Sequence, residues 1–397
     1  MANGKLEALL AEWRRKRLLI LGLVVSNRPL ARLLLEAGCR VTGCDRTDRE
    51  KLDREVLDLE EQGLELRLGA GYLENLEADV VFRTPGMHPA NPALEALRRR
   101  GAAVTSEMEI FFQVCPCPVI AVTGSDGKTT TTSLIAEMLK HAGYTVHVGG
   151  NIGKPLLSEA DRMGQDDVAV LELSSFQLMT LQASPDIAVF TNLSPNHLDV
   201  HTSMEEYAQA KENIFSHQGP GDLAIFNQDN DLTRAMAERA PGRVMKFSRR
   251  SALEEGTYVE HGMIYVAHNG QKRPLFSTDR ILIPGQHNVE NYLAAIAAVQ
   301  GMVSDEVILH TAETFPGVEH RIELVRTKDG VRYYNDSIAS SPSRTIAGLR
   351  SFQQKGIPIT GCYADHPLLY PPVPRSAQHP SSLHSLTNHV CRLLLDT

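Results

Sequence analysis

No run in this chain approaches the roughly 20 consecutive apolar residues that a helix needs to cross a bilayer. The most apolar candidate, Leu18 to Val25, is eight residues long and follows Arg14-Arg15-Lys16-Arg17. No small-x-small cleavage pattern follows it, so it reads as a buried first strand rather than a leader. Cysteine is sparse. The six, at 39, 44, 115, 117, 362 and 391, form neither a disulfide framework nor a C-x-x-C zinc pair. Cys115-Pro116-Cys117 reads as a turn between elements, and the set suits a reducing cytoplasm. An excess of basic charge is missing too. A formal net charge of −8 gives no general electrostatic reason to bind nucleic acid. We therefore expect a cytoplasmic protein without nucleic-acid or membrane partners, and a monomer. A dinucleotide fingerprint would need glycines at 22, 24 and 27, but only Gly22 is there, which argues against NAD.

What is present centres on Pro118-Val-Ile-Ala-Val-Thr-Gly-Ser-Asp-Gly-Lys-Thr-Thr130. A β-branched run ends at Thr123, a glycine turn follows, and Lys128 and two threonines open a helix. Leu134, Ile135, Met138 and Leu139 mark its buried face and Gly143 its end. Strand, glycine loop and helix N-terminus together make a phosphate cradle. Gly124, Ser125, Asp126, Gly127, Lys128, Thr129 and Thr130 are the expected contacts. Lys128 is placed for the terminal phosphates and a threonine hydroxyl for Mg²⁺. Val122 stands where the usual loop has its first glycine.

Strands at Leu18–Gly22, Arg40–Asp45, Val80–Thr84 and Val104–Ser106 alternate with helical patterns, one opening at Ser26 and Asn27. That predicts a parallel sheet with ligands at the strand carboxyl ends. Later strands end at Glu172 and Thr191, which brings Glu172 and the Asn192-to-Asp199 segment, with His197, to the cradle's edge. Glu172 suits a magnesium ligand there. Ser203 to Glu206 reads as a capping box. The helix it opens carries Lys211 on the same face as Tyr207, an unexpected place for a lysine. It either snorkels or points into the site. Tyr258 to Ala267 reads as a β-ribbon turning at His261-Gly262. Asn288 and Asn291 lie one turn apart and are spaced to offer amides to a purine.

T-G-x-x-G-K-T-T, E-L-S-S-F-Q, N-L-x-x-N-H-L-D, Y-x-x-x-K and G-x-H-N-x-x-N, in this order, resemble the Mur ligase family. Val25-Ser-Asn-Arg28 and Tyr334-Asn-Asp-Ser-Ile-Ala-Ser-Ser-Pro342 extend the resemblance to both flanks. It implies an α/β protein with three domains. These are a Rossmann-like uridine-substrate domain over 1–113, a central P-loop ATPase domain with a parallel sheet over 114–317, and a Rossmann-like amino-acid domain over 318–397 that is incomplete. The implied activity is ATP-dependent amide ligation in peptidoglycan precursor synthesis. UDP-N-acetylmuramoyl-L-alanine receives D-glutamate through an acyl phosphate, with ATP and Mg²⁺. Residue by residue, Lys128 meets the transferred phosphate, Thr129 and Glu172 hold Mg²⁺, and His197 helps hold a second. Lys211 matches a lysine that the family carbamoylates. Asn288 and Asn291 contact adenine, Arg321 a phosphate and Asp336 the ribose. Asn151 touches the acceptor. Ser26, Asn27, Asp45, Arg46, Thr84, Pro85 and Gly86 contact the uridine nucleotide, and Ser340 belongs to the substrate set. Two other readings stay open: a folylpolyglutamate-synthase-like ligase, and a non-catalytic binder of ATP or a UDP-sugar.

The pattern stops near residue 360. Residues 362–397 hold five prolines and four histidines but no Gly, Lys or Glu, and Gly361-Cys362-Tyr363 stands where the family has a glycine pair and a lysine. This atypical tail reads as a shifted frame or truncated gene, which resequencing around codon 360 would test. A hairpin is expected around Asp329-Gly330, then a helix from Ser343 and a strand at Ile357–Thr360.

Overall fold

The structure is a computed structural model, and it describes residues 3–194, 203–339, 342–352, 356–362 and 389–396. The chain divides into two compact units. One comprises Met1–Lys128, Gly143–Phe226 and Asn230–Met245; the other comprises Thr129–Ala142, Asn227–Asp229 and Lys246–Thr397.

The first unit opens with a parallel sheet of β1 (Arg17–Leu21), β2 (Arg40–Asp45), β3 (Glu65–Leu68), β4 (Val80–Arg83) and β5 (Ala103–Thr105), in the order β3-β2-β1-β4-β5. The order reverses between β1 and β4. A doubly wound sheet leaves its ligand crevice at that reversal, beyond the strand carboxyl ends. β1 is buried along Leu18 to Leu21, which explains its unbroken apolar run. The helix Asn27–Glu36 closes at Gly38, whose φ of +79° an L-side chain rarely adopts. A helix at Gly4–Trp13, which the sequence pattern did not reveal, seats Trp13 edge-on against Phe82 with ring centroids 5.3 Å apart.

A second group of parallel strands follows: β6 (Val119–Thr123), β7 (Val146–Gly150), β8 (Val168–Glu172), β9 (Ile187–Phe190) and β10 (Leu223–Asn227), in the order β10-β9-β6-β8-β7. Register sets Val122 beside Glu172 and Thr123 beside Phe190. The carboxyl ends of β6, β8 and β9 are therefore neighbours.

The chain passes into the second unit within β11 (Arg243–Ser248). There β11 pairs in parallel with β12 (Gly256–Glu260), which continues antiparallel to β13 (Met263–His268) and β14 (Gln271–Ser277). The helix Gln286–Ala298 buries nearly all its side chains, as its alanine-rich sequence allows. A last sheet contains β15 (Glu323–Lys328), β16 (Val331–Asn335), β17 (Gly356–Cys362) and β18 (His389–Asp396), in the order β15-β16-β18-β17, with every pairing antiparallel. The Asp329-Gly330 turn is as predicted, with φ of +51° and +78°. β18 was not foreseen; most of the atypical tail lies outside the described residues. Among the described residues no helix is long and apolar enough to cross a membrane.

Candidate functional site

Two ligand-facing regions form in the first unit. The first lies at the reversal between β1 and β4. A cavity of about 570 Å³ opens there, lined by Gly22, Asp45, Arg46, Thr84 and Gly86 among others. Four of the seven predicted uridine-nucleotide residues are thus brought together. Ser26, Asn27 and Pro85 do not line it. The Asn27 side chain turns inward, donating to the Gly22 carbonyl at 2.8 Å, and is buried. Its work is to brace the turn. Asp45 accepts from the Leu23 amide at 2.8 Å and the Thr47 amide at 2.9 Å. Burial pushes this carboxyl up, but those amides outweigh it and hold it below the usual range. The sequence reading missed Arg28, Lys51 and Tyr72 in the lining.

Arg83, at the end of β4, was also missed. It is 1% exposed. Its guanidinium donates to the carbonyls of Pro85 and Met87, at 3.4 and 3.2 Å, and so holds the Thr84–Met87 loop that lines the cavity. It also donates to Phe176 O at 3.2 Å and Thr180 Oγ1 at 2.7 Å, in the segment that follows β8. One side chain thus ties the cavity loop to the chain beyond Glu172. An arginine closing the apolar run Val80-Val-Phe was the available signal.

The second region is the loop after β6. Gly124 has φ +145°, and a Cβ there would meet Thr191 Oγ1 at 1.9 Å, so only glycine fits. Thr191 Oγ1 and Asn192 Nδ2 donate to the Asp126 carbonyl at 2.6 and 3.0 Å, and the Asp126 amide donates to Asn192 Oδ1 at 2.9 Å. Ser125 Oγ donates to Ser194 O at 2.9 Å and lies 3.1 Å from the Tyr207 hydroxyl. The loop is thereby fixed from β9 and from the helix Met204–Glu212.

Two lysines converge on it. Lys128 Nζ donates to the carbonyls of Gly124 and Ser125 at 3.0 and 3.1 Å. Lys211 Nζ donates to the same Gly124 carbonyl at 3.0 Å and to Thr123 Oγ1 at 3.2 Å. Lys211 is 2% exposed and does not snorkel; it lies 4.9 Å from the Tyr207 ring centroid. Burial, and then the charge of Lys128, push its ammonium well below the ordinary lysine range, with Glu172 and Asp126 opposing. Glu172 is 2% exposed. Its Oε1 accepts from Asn151 Nδ2 at 2.9 Å, while the buried Oε2 has no hydrogen-bond partner among the described residues. An orphaned carboxylate oxygen is costly unless a cation takes it, and it suits a hard, oxygen-seeking ion such as Mg²⁺. Among the described residues no group of three His, Cys, Asp or Glu could hold a metal. The predicted ligand set therefore needs a further donor, a carbamate oxygen on Lys211 or a ring nitrogen of His197. His197 and Ser340 lie outside the described residues.

The remaining predicted residues belong to the second unit. Thr129 and Thr130 stand in the first turn of the helix Lys128–His141, whose predicted face, Leu134, Ile135, Met138 and Leu139, is buried. Asn288 Nδ2 donates to Pro284 O at 2.6 Å, and Asn291 Nδ2 to Asn288 Oδ1 at 3.1 Å. Asn291 Oδ1 accepts from Thr131 at 3.3 Å. These amides, expected to meet a purine, are engaged inside the unit, although Asn288 lines a small cavity with Thr130 and Arg321. Asp336 is buried, accepts from the Ile322 amide at 3.2 Å, and burial raises its carboxyl to about 6.

Comparison with known proteins fits this arrangement. The Mur ligase middle domain family matches residues 122–299. The UDP-N-acetylmuramoylalanine--D-glutamate ligase of Acetivibrio thermocellus is 50% identical over 362 residues, covering 91% of this chain and 78% of that protein. The protein of the same name from Clostridium novyi is 48% identical over 359 residues, 89% of this chain and 76% of its own length. Among solved structures, a UDP-N-acetylmuramate:L-alanyl-gamma-D-glutamyl-meso-diaminopimelate ligase from Neisseria meningitides superposes with a TM-score of 0.54 at 22% identity, covering 77% of this chain and 99% of that one. A UDP-N-acetylmuramate-alanine ligase from Thermotoga maritima gives 0.53 at 20% identity, covering 85% and 77%.

Proposed function

The chain belongs to the Mur ligase family, and from that premise we propose that it joins D-glutamate to UDP-N-acetylmuramoyl-L-alanine in peptidoglycan precursor synthesis. Ligases of this family depend on ATP. Relatives 48–50% identical to this chain over the aligned residues carry the name of D-glutamate ligases, so the folate-type alternative is not favoured. The observation that carries the reading is the convergence of Lys128 and Lys211 on one carbonyl, with an unpaired Glu172 oxygen at the neighbouring strand end.

Magnesium-bound ATP supplies the phosphoryl group that converts the alanyl carboxylate to an acyl phosphate, which the amine of D-glutamate attacks. The chain's part is positioning and charge neutralisation. Lys128, at a helix start, exchanges its carbonyl partners for the transferred phosphate. Glu172 Oε2 would hold a bound Mg²⁺, with Thr129 and His197 as the further ligands that the family resemblance implies. Lys211, as a carbamate, exchanges a buried cation for an oxygen ligand, which removes the repulsion from Lys128. Asn151 is fixed by both the backbone carbonyl and the side chain of Glu172, at 2.7 and 2.9 Å, and meets the acceptor. In the first cavity Asp45, Arg46, Thr84 and Gly86 take the uridine nucleotide; Arg28 and Lys51 also line it, paired with Asp53 and Glu55 and with Asp48 respectively. Asn288, Asn291, Arg321 and Asp336 serve the adenosine part. We assign 1–113 to the uridine substrate, 114–317 to ATP and 318–397 to the amino acid, in a cytoplasmic monomer.

Phosphate release should require both UDP-N-acetylmuramoyl-L-alanine and D-glutamate and should yield the amide-linked product by mass. No release with both present would overturn the reading. Release driven by a folate would replace it.

A further inference from the structure

Cys115 and Cys117 sit where the chain leaves the helix Glu107–Val114 and enters β6. Their sulfurs are 3.7 Å apart, and Cys115 Sγ also donates to the Cys117 carbonyl at 3.4 Å. Both flanks of the turn are fixed. The Cys115 amide donates to Phe111 O at 2.8 Å, and the Val119 amide to Asp186 Oδ2 at 2.7 Å. Pro116 between them restricts the backbone further. The two sulfurs are held in contact by an anchored turn, and a bond between them needs closure to about 2.05 Å.

The pair is also asymmetric. Cys115 is half-buried and Cys117 is buried. The hydrogen bond with Cys117 lowers the Cys115 thiol, against burial and Asp186 and with help from Lys5. The same hydrogen bond, then burial, raises Cys117. An accessible attacking thiol beside a buried resolving one is the arrangement that thiol–disulfide exchange requires.

We propose that Cys115 and Cys117 form a redox-active dithiol, oxidised reversibly to a disulfide by low-molecular-weight disulfides. The Cys115 thiolate attacks one sulfur of the small disulfide and expels one thiolate, leaving a mixed disulfide. The Cys117 thiol gives up its proton to solvent and attacks Cys115 Sγ, expelling the second thiolate. Two electrons leave the protein, and the small disulfide becomes two thiols. The site is separate from the ligase chemistry: it stands at the start of β6, and the Gly124–Lys128 loop stands beyond its end. The inference does not depend on the ligase reading.

The test treats the full-length native protein with rising ratios of oxidised to reduced glutathione, traps free thiols by alkylation and maps the peptides by mass. The peptide containing both residues should lose two hydrogens, and dithiothreitol should restore them. The buried Cys39 and Cys44, whose thiols burial pushes up, Cys44 to about 12, should stay reduced. Cys117→Ser should accumulate glutathione on Cys115, whereas Cys115→Ser should take none on Cys117. A peptide that stays dithiol while the unfolded chain is oxidised would overturn the proposal. So would a glutathione adduct that persists on Cys115 in the native protein.

Discussion

Both ligand-facing regions of the first unit lie beyond the carboxyl ends of parallel strands, yet they are built in opposite ways. The cavity beside β1 and β4 is open and roomy, and its one well-held carboxylate, Asp45, is satisfied by two backbone amides. The cluster beside β6 and β8 is closed and tight. It buries a lysine next to a second lysine and leaves a carboxylate oxygen without a partner. The first region needs nothing to complete it beyond a ligand of matching shape. The second is electrostatically incomplete, and such frustration is characteristic of sites where charge moves. On the proposed function the difference divides the labour: one region would recognise and the other react.

The largest effect should come from Lys211. Replacement by Ala or Arg should lower kcat by at least about 10³-fold, since neither side chain can become a carbamate oxygen ligand. Labelled bicarbonate should also give a carbamate carbon signal that Lys211→Arg lacks. A fully active arginine variant would place the lysine among structural residues. Glu172→Gln comes next. It keeps the Asn151 contact in shape but weakens the metal ligand, so the Mg²⁺ requirement should rise and kcat fall by about 10²-fold. Arg83→Ala should act mainly on recognition, raising the KM for the uridine nucleotide about 10-fold while kcat at saturation changes little. It should also cost roughly 2–4 kcal/mol in urea unfolding, because buried carbonyls lose their donor. An unchanged KM would sever the cavity loop from this arginine.

The last effect is on stability alone and concerns Glu107, which lies outside both regions. It is buried, accepts from the Leu157 amide at 2.9 Å, and burial raises its carboxyl to about 7. The folded chain therefore keeps this proton up to about pH 7, while the unfolded chain releases it near the ordinary glutamate value of 4.5. Its contribution is greatest below 4.5, falls as pH rises through that window, and is level above it. Glu107→Gln should flatten that fall, by roughly 3 kcal/mol between about pH 4.5 and about pH 8, measured by urea unfolding.

How much of this was legible in the sequence follows from the range of the interactions. The cradle, Glu172 and Lys211 could be read because local pattern places them: a strand, a glycine turn, and a helix with one misplaced lysine. The hairpin at Asp329-Gly330 could be read because its dihedral needs are local. The arginine closing the Val80-Val-Phe run marked Arg83 as unusual, but its role could not be read, because two of its acceptors, Phe176 and Thr180, lie in a segment far along the chain. Asn288 and Asn291 were read from their one-turn spacing as amides for a purine, and Asn27 from the resemblance as a nucleotide contact; the hydrogen bonds these side chains make within the fold were not legible. The helix Gly4–Trp13 was missed because its buried residues, Leu6 and Trp13, are too few to show a period.

Lys128→Ala tests the division of labour most directly, with substrate binding by calorimetry and turnover by phosphate release measured on the same preparation. The account predicts that UDP-N-acetylmuramoyl-L-alanine binds with a Kd within about two-fold of the native value while turnover is abolished. A variant that still turns over, or one that loses the uridine nucleotide along with its activity, would contradict it.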